Sequence, residues 1–551
     1  MTISKRSYMR KTIILLPVMV TIICLLIGLV NGSRVDDVFM MKIAESFRTN
    51  SHSEQLMFIS EIYGFLLKFL YNLIPAVSWY WVLQVAILTL AFVCMYMIVT
   101  RYEYDYIIFC ILVLLQCYFL AFLNFTSTAF LCAGVGVIWY LSCVDKICKK
   151  NIKHIVISFL LLLLGFSMRY GSVYFCIILM FVPIFVLNIK QKKATLSAML
   201  LLVLLCTCSN YLCIGIHRMY NEHIPSSMYY NEFQSVRSNA SDGGLFEYDQ
   251  TLDTVGISQN DFDIFQKYVY ADINVYNYGS VKTIGEARSL ENRYTLNISD
   301  FFKDFASQTK RFYVFLLLYF VLFSYIVARK RESYLSVIAF SAYVFGAVGF
   351  LFFRRRAVLD IVLAIITVGM FYLLTIISRK KFFTPKKNIT KIIIIGLCIC
   401  SICFQGVFLF KANNDFTTEH DITTVEEYVS SNPDKIYVCD PFCNNQYEQQ
   451  KQNHNLLKAD YQTSHLYSIL GDWYIYSYYW YDLYQNLGVS EYAQNGMLLL
   501  LDDRVSLATK SIKPTMVVTY FLENYNIKVE YTIEKTFDDC NIVIYDFDIV
   551  N

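Results

Sequence analysis

The chain has 551 residues, of which 56% are hydrophobic and only 17% are charged. This balance excludes an ordinary water-soluble globular protein and indicates a chain whose main solvent is lipid. The formal net charge of +3 is small, and no block of Lys and Arg alternates with aromatic residues, so nucleic acid is excluded as a partner.

A basic cluster followed by an apolar run begins the chain. Lys and Arg residues between positions 5 and 11 precede the run from Ile13 to Val30. Signal peptides share this pattern, but the many apolar segments that follow favour a retained first helix. Either interpretation places the next segment outside the cytoplasm.

Apolar segments of membrane-spanning length recur along the chain. A helix needs about 20 apolar residues to cross a membrane, and the segments of this kind predict about eleven transmembrane helices. The predicted spans are 12–31, 79–100, 106–123, 125–144, 154–169, 172–189, 194–214, 311–328, 334–353, 357–378 and 390–410.

The distribution of basic residues predicts the orientation, because short cytoplasmic loops collect Lys and Arg. With the N-terminus in the cytoplasm, most basic clusters fall on that side of the membrane. Residues 1–411 then form a transmembrane module with outer loops at 32–78 and 215–310, and residues 412–551 form an extracytoplasmic domain.

The C-terminal segment has the pattern of a small α/β domain. Lys435 to Cys439 and Asn541 to Tyr545 predict strands, Val517 to Glu523 predicts a strand or a helix, and Trp473 to Trp480 is dense in aromatic residues. No Gly-rich phosphate loop accompanies the strands, which favours a structural cap or an acceptor-recognition module. Cys439 and Cys443 fit a disulfide or half a metal site, but no second pair follows, and we predict no metal there.

An acidic pair, Asp36 and Asp37, directly follows the first predicted span. Adjacent carboxylates repel each other, so one can act as a base or both can bind a cation. The alternative is a solvated helix N-cap. Apolar stretches at 39–47 and 56–73 predict helices along the membrane surface, which would hold the acidic pair near the head groups. Within the second stretch, Glu61 and Lys68 are interpreted as solvated or ion-paired.

Two groups of arginines depart from the positive-inside pattern. Arg169 falls at the outer end of the fifth predicted span, and Arg354, Arg355 and Arg356 fall at the outer end of the ninth. Such residues either reach to ordinary phospholipid or bind a specific anion, and the planar guanidinium matches phosphate oxygens. A carboxylate base and a phosphate-binding cation on one membrane face are the groups needed for displacement at the anomeric carbon of a lipid-phosphate sugar.

The Asp36-Asp37 motif, after one N-terminal helix and before surface helices, resembles the GT-C superfamily of polytopic glycosyltransferases, and most closely its uncharacterised bacterial members that end in a small extracytoplasmic domain. The resemblance implies a bacterial cell-membrane protein that uses a polyprenyl-phosphate sugar donor. It implies that Asp36 or Asp37, with a slight preference for Asp37, is the base. It further implies that Arg169 and one or more of Arg354, Arg355 and Arg356 hold the donor phosphate. The segment 229–238 also resembles a segment typical of the family. Arg237 within it is a further candidate for the phosphate site, and the alternative is that it is a solvated loop arginine.

The expected fold class is therefore a membrane all-α protein, with a GT-C-like bundle, outer-surface helices and a C-terminal α/β domain. The expected function is inverting transfer of a sugar from the carrier to a cell-envelope glycan, lipid or protein acceptor, as in polysaccharide biosynthesis. Members of the superfamily differ in their need for a divalent cation, so a cation stays open and no cofactor is required. The alternatives are a polymerase or ligase of lipid-linked saccharides, a flippase or other transporter, and a scaffold that acts through the C-terminal domain.

Overall fold

The computed structural model describes residues 3–32, 35–46, 49, 52–56, 58–100, 106–143, 152–169, 192–223, 225–241, 247–294, 303, 305–306, 312–328, 334–353, 358–379, 423–443, 466–471 and 474–550. The first helices are α1 (Ile3–Leu26), α2 (Val35–Glu45), α3 (Glu61–Leu73), α4 (Trp79–Val99), α5 (Tyr106–Ala121), α6 (Phe125–Ser142) and α7 (Ile152–Met168). The next are α8 (Lys192–His223), α9 (Pro225–Ser241), α10 (Gln259–Phe265), α11 (Tyr278–Tyr294), α12 (Tyr313–Ala328), α13 (Tyr334–Phe353) and α14 (Leu359–Arg379).

The C-terminal part adds three helices and a sheet. The helices are α15 (Thr423–Ser431), α16 (Tyr478–Asn486) and α17 (Pro514–Tyr525). The strands are β1 (Ile436–Cys439), β2 (Leu466–Tyr467), β3 (Val505–Thr509), β4 (Val529–Phe537) and β5 (Ile542–Ile549). Short 3-10 helices lie at Gln250–Val255, Ser490–Tyr492 and Gly496–Leu501.

The chain has the architecture of a helical membrane protein. Among the described residues, four helical stretches are long and apolar enough to cross a membrane: Trp79–Val99, Phe125–Ser142, Leu200–Tyr220 and Leu359–Ser378. Shorter apolar helices overlap the other predicted spans, except those at 172–189 and 390–410, which lie outside the described residues. Four predicted spans thus coincide with helices of sufficient length, and the count of about eleven stays a prediction.

Short helices occupy both regions where surface helices are predicted. Helix α2 has 11 residues and α3 has 13, and both are too short to cross a membrane. Helix α3 buries one face and exposes Phe65, Phe69 and Leu73 on the other. An exposed apolar face of this kind is typical of a helix that lies at the membrane surface.

Helix α6 forms the centre of the bundle, because it is buried along nearly its whole length. Small residues bring its neighbours close: a Cβ at Gly165 of α7 would lie 2.7 Å from the Ala129 carbonyl oxygen. Close approach through Gly, Ala and Ser is the usual way in which membrane helices pack. The tight packing fixes the end of α7 beside the beginning of α6.

Helix α1 packs into the same bundle. Pro17 lies inside this helix, where a proline removes a hydrogen bond from the backbone ladder. The side-chain amide of Gln116 on α5 donates to the Pro17 carbonyl oxygen over 2.7 Å and to Thr21 Oγ1 over 2.9 Å. These contacts join α1 to α5.

The C-terminal strands form one sheet in the order β2-β1-β3-β5-β4. Strands β1, β2 and β3 run parallel, whereas β5 is antiparallel to both β3 and β4. The segment from Val517 to Glu523 is helical, since it lies inside α17. The α/β character expected for this part of the chain is therefore present.

Part of the second predicted outer loop packs into this C-terminal domain. The amides of Tyr270 and Ala271 donate to the Leu470 carbonyl oxygen over 2.9 and 2.8 Å. Asp272 is fully buried and accepts hydrogen bonds from Tyr520, over 2.7 Å, and from Tyr525. The structural unit is therefore larger than residues 412–551, because it includes residues near 258–274.

Candidate functional site

The acidic pair lies in the first turn of α2. Asp36 is partly buried, and Asp37 is fully buried. Asp37 Oδ1 accepts hydrogen bonds from Tyr80 Oη over 2.8 Å, from Gln84 Nε2 over 3.0 Å and from the Phe125 amide over 3.0 Å. One carboxylate oxygen thus ties α2 to α4 and to the beginning of α6.

Burial dominates the electrostatics of Asp37, which lies outside the membrane-spanning helices. It raises the pKa of the carboxyl group from 3.8 to about 7, while the three hydrogen bonds lower the pKa and the charge of Asp36 raises it. Within the described residues, Asp37 Oδ2, Gln84 Oε1 and Tyr63 Oη are buried and have no hydrogen-bond partner. The charge of Asp37 acts on the Tyr63 hydroxyl group, so the unpaired polar atoms of these two side chains lie in the same region of the protein.

Arg169 follows the last residue of α7 and turns into the protein. Its Nη1 donates to Thr126 Oγ1 over 2.7 Å. The guanidinium carbon lies 5.5 Å from the ring centroid of Phe58 and 5.1 Å from that of Phe125, distances at which a cation interacts with an aromatic face. These contacts hold the half-buried cation against the beginning of α6.

The charges of three carboxylates act on this guanidinium. Burial lowers the pKa of Arg169, and the charges of Asp36, Asp37 and Asp360 oppose that effect. Arginine keeps its charge under such conditions, so the site holds a permanent cation. The structure therefore brings Arg169 together with the acidic pair, although more than 130 residues of sequence separate them.

Three helix N-termini converge at the same place. The Phe125 amide at the start of α6 contacts Asp37 in the first turn of α2, and Ser127 Oγ donates to the Asp360 carbonyl oxygen in the first turn of α14 over 3.4 Å. Helix N-termini carry partial positive charge and unpaired amide groups. Together with Arg169 they supply positive potential beside the carboxylates of Asp36, Asp37 and Asp360.

Arg237 has a different setting from the one expected. It lies in helix α9, is fully buried, and donates to Gln234 Oε1 over 2.6 Å and to Ser241 Oγ over 2.9 Å. Both of these acceptors belong to its own helix. The two contacts stabilise α9, and a buried helical setting differs from that of a solvated loop arginine. The predicted role of Arg237 in phosphate binding stays a prediction.

Arg354, Arg355 and Arg356 lie outside the described residues. Helix α13 ends at Phe353 just before them, and α14 begins at Leu359 just after them. Their predicted role in phosphate binding stays a prediction.

A second polar group lies where α3 meets α8. Lys68 Nζ contacts Glu54 Oε2 over 2.6 Å, and His217 Nδ1 contacts Glu61 Oε1 over 2.6 Å. Tyr220 Oη donates to Glu54 Oε1 over 2.7 Å. Lys68 is thus ion-paired, which is one of the two interpretations that the sequence allowed, and Glu61 contacts a histidine.

No group of three or more His, Cys, Asp or Glu side chains in the described part of the chain is arranged to hold a metal ion. Cys439 and Cys443 are both buried free thiols there. The need for a divalent cation stays open.

Comparisons with protein-family models, with curated proteins and with solved structures gave no match. The likeness to the GT-C superfamily is therefore a hypothesis that depends on the residues of this chain alone.

Sequence reasoning missed several residues of the site. Thr126, Gln84 and Tyr63 lie within apolar segments, where a polar side chain is easily interpreted as part of a helix interface. Asp360 carried a usable signal, because an acidic residue at the beginning of a predicted span faces the same side as Arg169 in the predicted orientation.

Proposed function

We propose that the protein transfers a sugar from a polyprenyl-phosphate carrier to a cell-envelope acceptor at the outer face of the membrane. The observation that carries this proposal is the position of the half-buried Arg169 guanidinium over the ring of Phe125, whose amide donates to Asp37, at a place where the charges of Asp36, Asp37 and Asp360 act on the guanidinium. A cation for a phosphate and a carboxylate for a proton are thereby available at one end of the helical bundle.

In this proposal Arg169 and the helix N-termini hold the phosphate of the donor. The acceptor oxygen attacks the anomeric carbon, the bond from that carbon to the phosphate oxygen breaks, and the lipid phosphate leaves with the electron pair. Charge that develops on the leaving phosphate is stabilised by the guanidinium and the amide dipoles, an effect worth about 10²- to 10³-fold in rate for one donor.

The proton of the acceptor hydroxyl passes to Asp36 in the same step. Asp36 is partly exposed, whereas Asp37 is fully buried with Oδ1 occupied by three donors. Because an acceptor can reach Asp36 more easily than Asp37, Asp36 is now preferred as the base. Asp37 becomes a positioning residue that anchors α2 against α4 and α6.

Mass spectrometry of cell-surface glycans tests the proposal. Cells that lack the protein should lack one sugar residue, and the wild-type protein should restore it. Asp36→Asn and Arg169→Gln proteins, present in the membrane at the wild-type level, should not restore it. Asp249→Asn serves as the control, since Asp249 accepts its described hydrogen bond from the Thr251 amide in a remote 3-10 turn.

If Asp36→Asn or Arg169→Gln protein fully restored the missing sugar residue, the role assigned to the substituted residue would be wrong. An unchanged glycan profile in cells without the protein would overturn the transferase as a whole. If an intact lipid-linked saccharide crossed the membrane of sealed vesicles without a change in its covalent structure, the function would be transport instead of sugar transfer.

A further inference from the structure

Phe58, in a turn just before α3, has an unusual backbone conformation. Its φ angle is 62°, in the left-handed region that bulky side chains rarely adopt. Such a conformation costs free energy and persists only where the surrounding structure fixes it, and residues of this kind are concentrated at functional sites. The conformation of Phe58 therefore calls for an interaction that offsets its cost.

The two residues that follow Phe58 anchor the turn to the end of α7. Ile59 is 2% exposed, and Ser60 is fully buried. The Ser60 amide donates to the Ser167 carbonyl oxygen over 2.7 Å, and the Ser60 side chain caps the N-terminus of α3. The turn is thus fixed between two helices, and it lies against the segment that ends at Arg169.

The ring of Phe58 contacts the cation of the site. The guanidinium carbon of Arg169 lies over this ring, 5.5 Å from its centroid, and over the ring of Phe125, 5.1 Å from that centroid. Thr126 Oγ1 accepts a hydrogen bond from Arg169 Nη1 over 2.7 Å. Two aromatic faces and a hydrogen bond restrict a side chain that otherwise has many rotamers.

Packing alone explains the conformation of Phe58 less well than this contact does. Phe58 is partly exposed, so its ring gains less from burial than that of Phe125, which is 2% exposed. An aliphatic side chain could fill the same space. The contact with a cation, in contrast, needs the negative face of an aromatic ring.

We propose that Phe58 is a positioning residue that holds the Arg169 guanidinium in the orientation that binds the phosphate of the lipid carrier. The anchored turn keeps the ring in place, and the ring keeps the cation in place before the carrier arrives. A cation that is already oriented loses less side-chain entropy when it binds an anion. This inference depends on the proposed function, in which Arg169 holds the donor phosphate, and adds a residue that controls this cation.

Binding of the carrier can be measured without sugar transfer. The full-length protein in lipid nanodiscs is titrated with undecaprenyl phosphate, and native mass spectrometry measures the fraction of protein that has bound it. Phe58→Leu should bind this lipid roughly threefold to tenfold more weakly, the range for loss of a partly exposed cation–π contact. Phe58→Tyr keeps an aromatic face and should stay within about twofold of wild type. Undecaprenol, which has no phosphate, should bind equally to all of these proteins.

Two further variants separate the role of the ring from effects on folding. Tyr268→Leu is the matched control, because Tyr268 has a φ angle of 60°, is also partly exposed, and packs its ring 6.0 Å from that of Phe442. It should leave the affinity for undecaprenyl phosphate unchanged. Phe58→Gly removes the ring and the backbone strain together, since glycine adopts positive φ angles freely. It should unfold at no lower temperature than Phe58→Leu and should bind the lipid phosphate as weakly.

A double-mutant cycle tests whether Phe58 acts through Arg169. Phe58→Leu should weaken binding of undecaprenyl phosphate in the wild-type background and have no effect in the Arg169→Gln background. Equal effects in both backgrounds, weak binding by Phe58→Tyr, or an equal loss of affinity for undecaprenol would overturn the inference.

Failure of this inference differs from failure of the proposed function. If Arg169→Gln lowers the affinity for undecaprenyl phosphate but the effects of the two substitutions add, the role of Phe58 alone is wrong. If the cycle gives the expected result but the glycan profile of cells without the protein is unchanged, the transferase alone is wrong.

Discussion

Replacement of Asp37 by asparagine gives the sharpest test of the electrostatics of the site. Burial raises the pKa of this carboxyl group from 3.8 to about 7 in the folded protein. Between these two pH values the folded state keeps a proton that the unfolded state has lost. The folded state therefore loses stability as the pH rises through this window, by roughly 1.4 kcal/mol per pH unit and about 4 kcal/mol in all.

An asparagine side chain cannot ionise, so the Asp37→Asn variant should escape this loss. Its carbonyl oxygen can still accept from Tyr80, Gln84 and the Phe125 amide, and its new amide group can donate to Gln84 Oε1 or Tyr63 Oη, which have no partner in the described structure. We expect the variant to be close to wild type in stability at pH 4, near the pKa of the unfolded state, and more stable by about 4 kcal/mol at pH 8.

Thermal unfolding in nanodiscs, followed by intrinsic fluorescence from pH 4 to pH 8, measures the effect. The wild-type Tm should fall with rising pH more steeply than that of Asp37→Asn. Asp249→Asn is the control, since a backbone hydrogen bond from Thr251 lowers the pKa of Asp249 and keeps it ionised in this range. Parallel pH curves for the wild type and Asp37→Asn would refute the reasoning.

Three further predictions concern the site and the fold. Asp36→Asn should lower the rate of sugar transfer by about 10²- to 10⁴-fold with little change in Tm, and a rate within twofold of wild type would contradict its role as base. Arg169→Gln should lower the same rate by about 10²- to 10³-fold, whereas an effect on acceptor KM alone would contradict leaving-group stabilisation. Gly471→Ala should destabilise the C-terminal domain by about 1–3 kcal/mol, because the added Cβ would lie 1.8 Å from the Tyr268 carbonyl oxygen. Limited proteolysis measures this last effect, with Gly346→Ala, whose methyl group meets open space, as the control.

Helix positions in the membrane module were predictable, because apolar runs of span length leave few other structures in lipid. The runs at 79–100, 125–144 and 357–378 correspond to helices that begin and end within a few residues of the expected bounds. Helix α8 was less well anticipated: it extends nine residues past the predicted end at 214, through His217 and Tyr220 to His223. Those added turns carry the polar side chains that pair with α3.

The site was predictable in part. Asp36, Asp37 and Arg169 were recognisable because charged residues at membrane edges are costly and few. The difference between the two aspartates was not recognisable, since it depends on Tyr80, Gln84 and Phe125 folding over one of them. The burial of Arg237 was hidden for a similar reason, because its acceptors on α9 become neighbours only once residues 225–241 form a helix.

The union of residues near 258–274 with the last part of the chain has a consequence for biogenesis. The backbone amides of Tyr270 and Ala271 find their acceptor in Leu470, about 200 residues later in synthesis. Until the C-terminus has been translated, this strip stays exposed with its pairing groups unmet. Completion of the C-terminal domain is therefore a late event in the maturation of the protein, and a truncated chain would leave a surface that quality-control proteases can recognise.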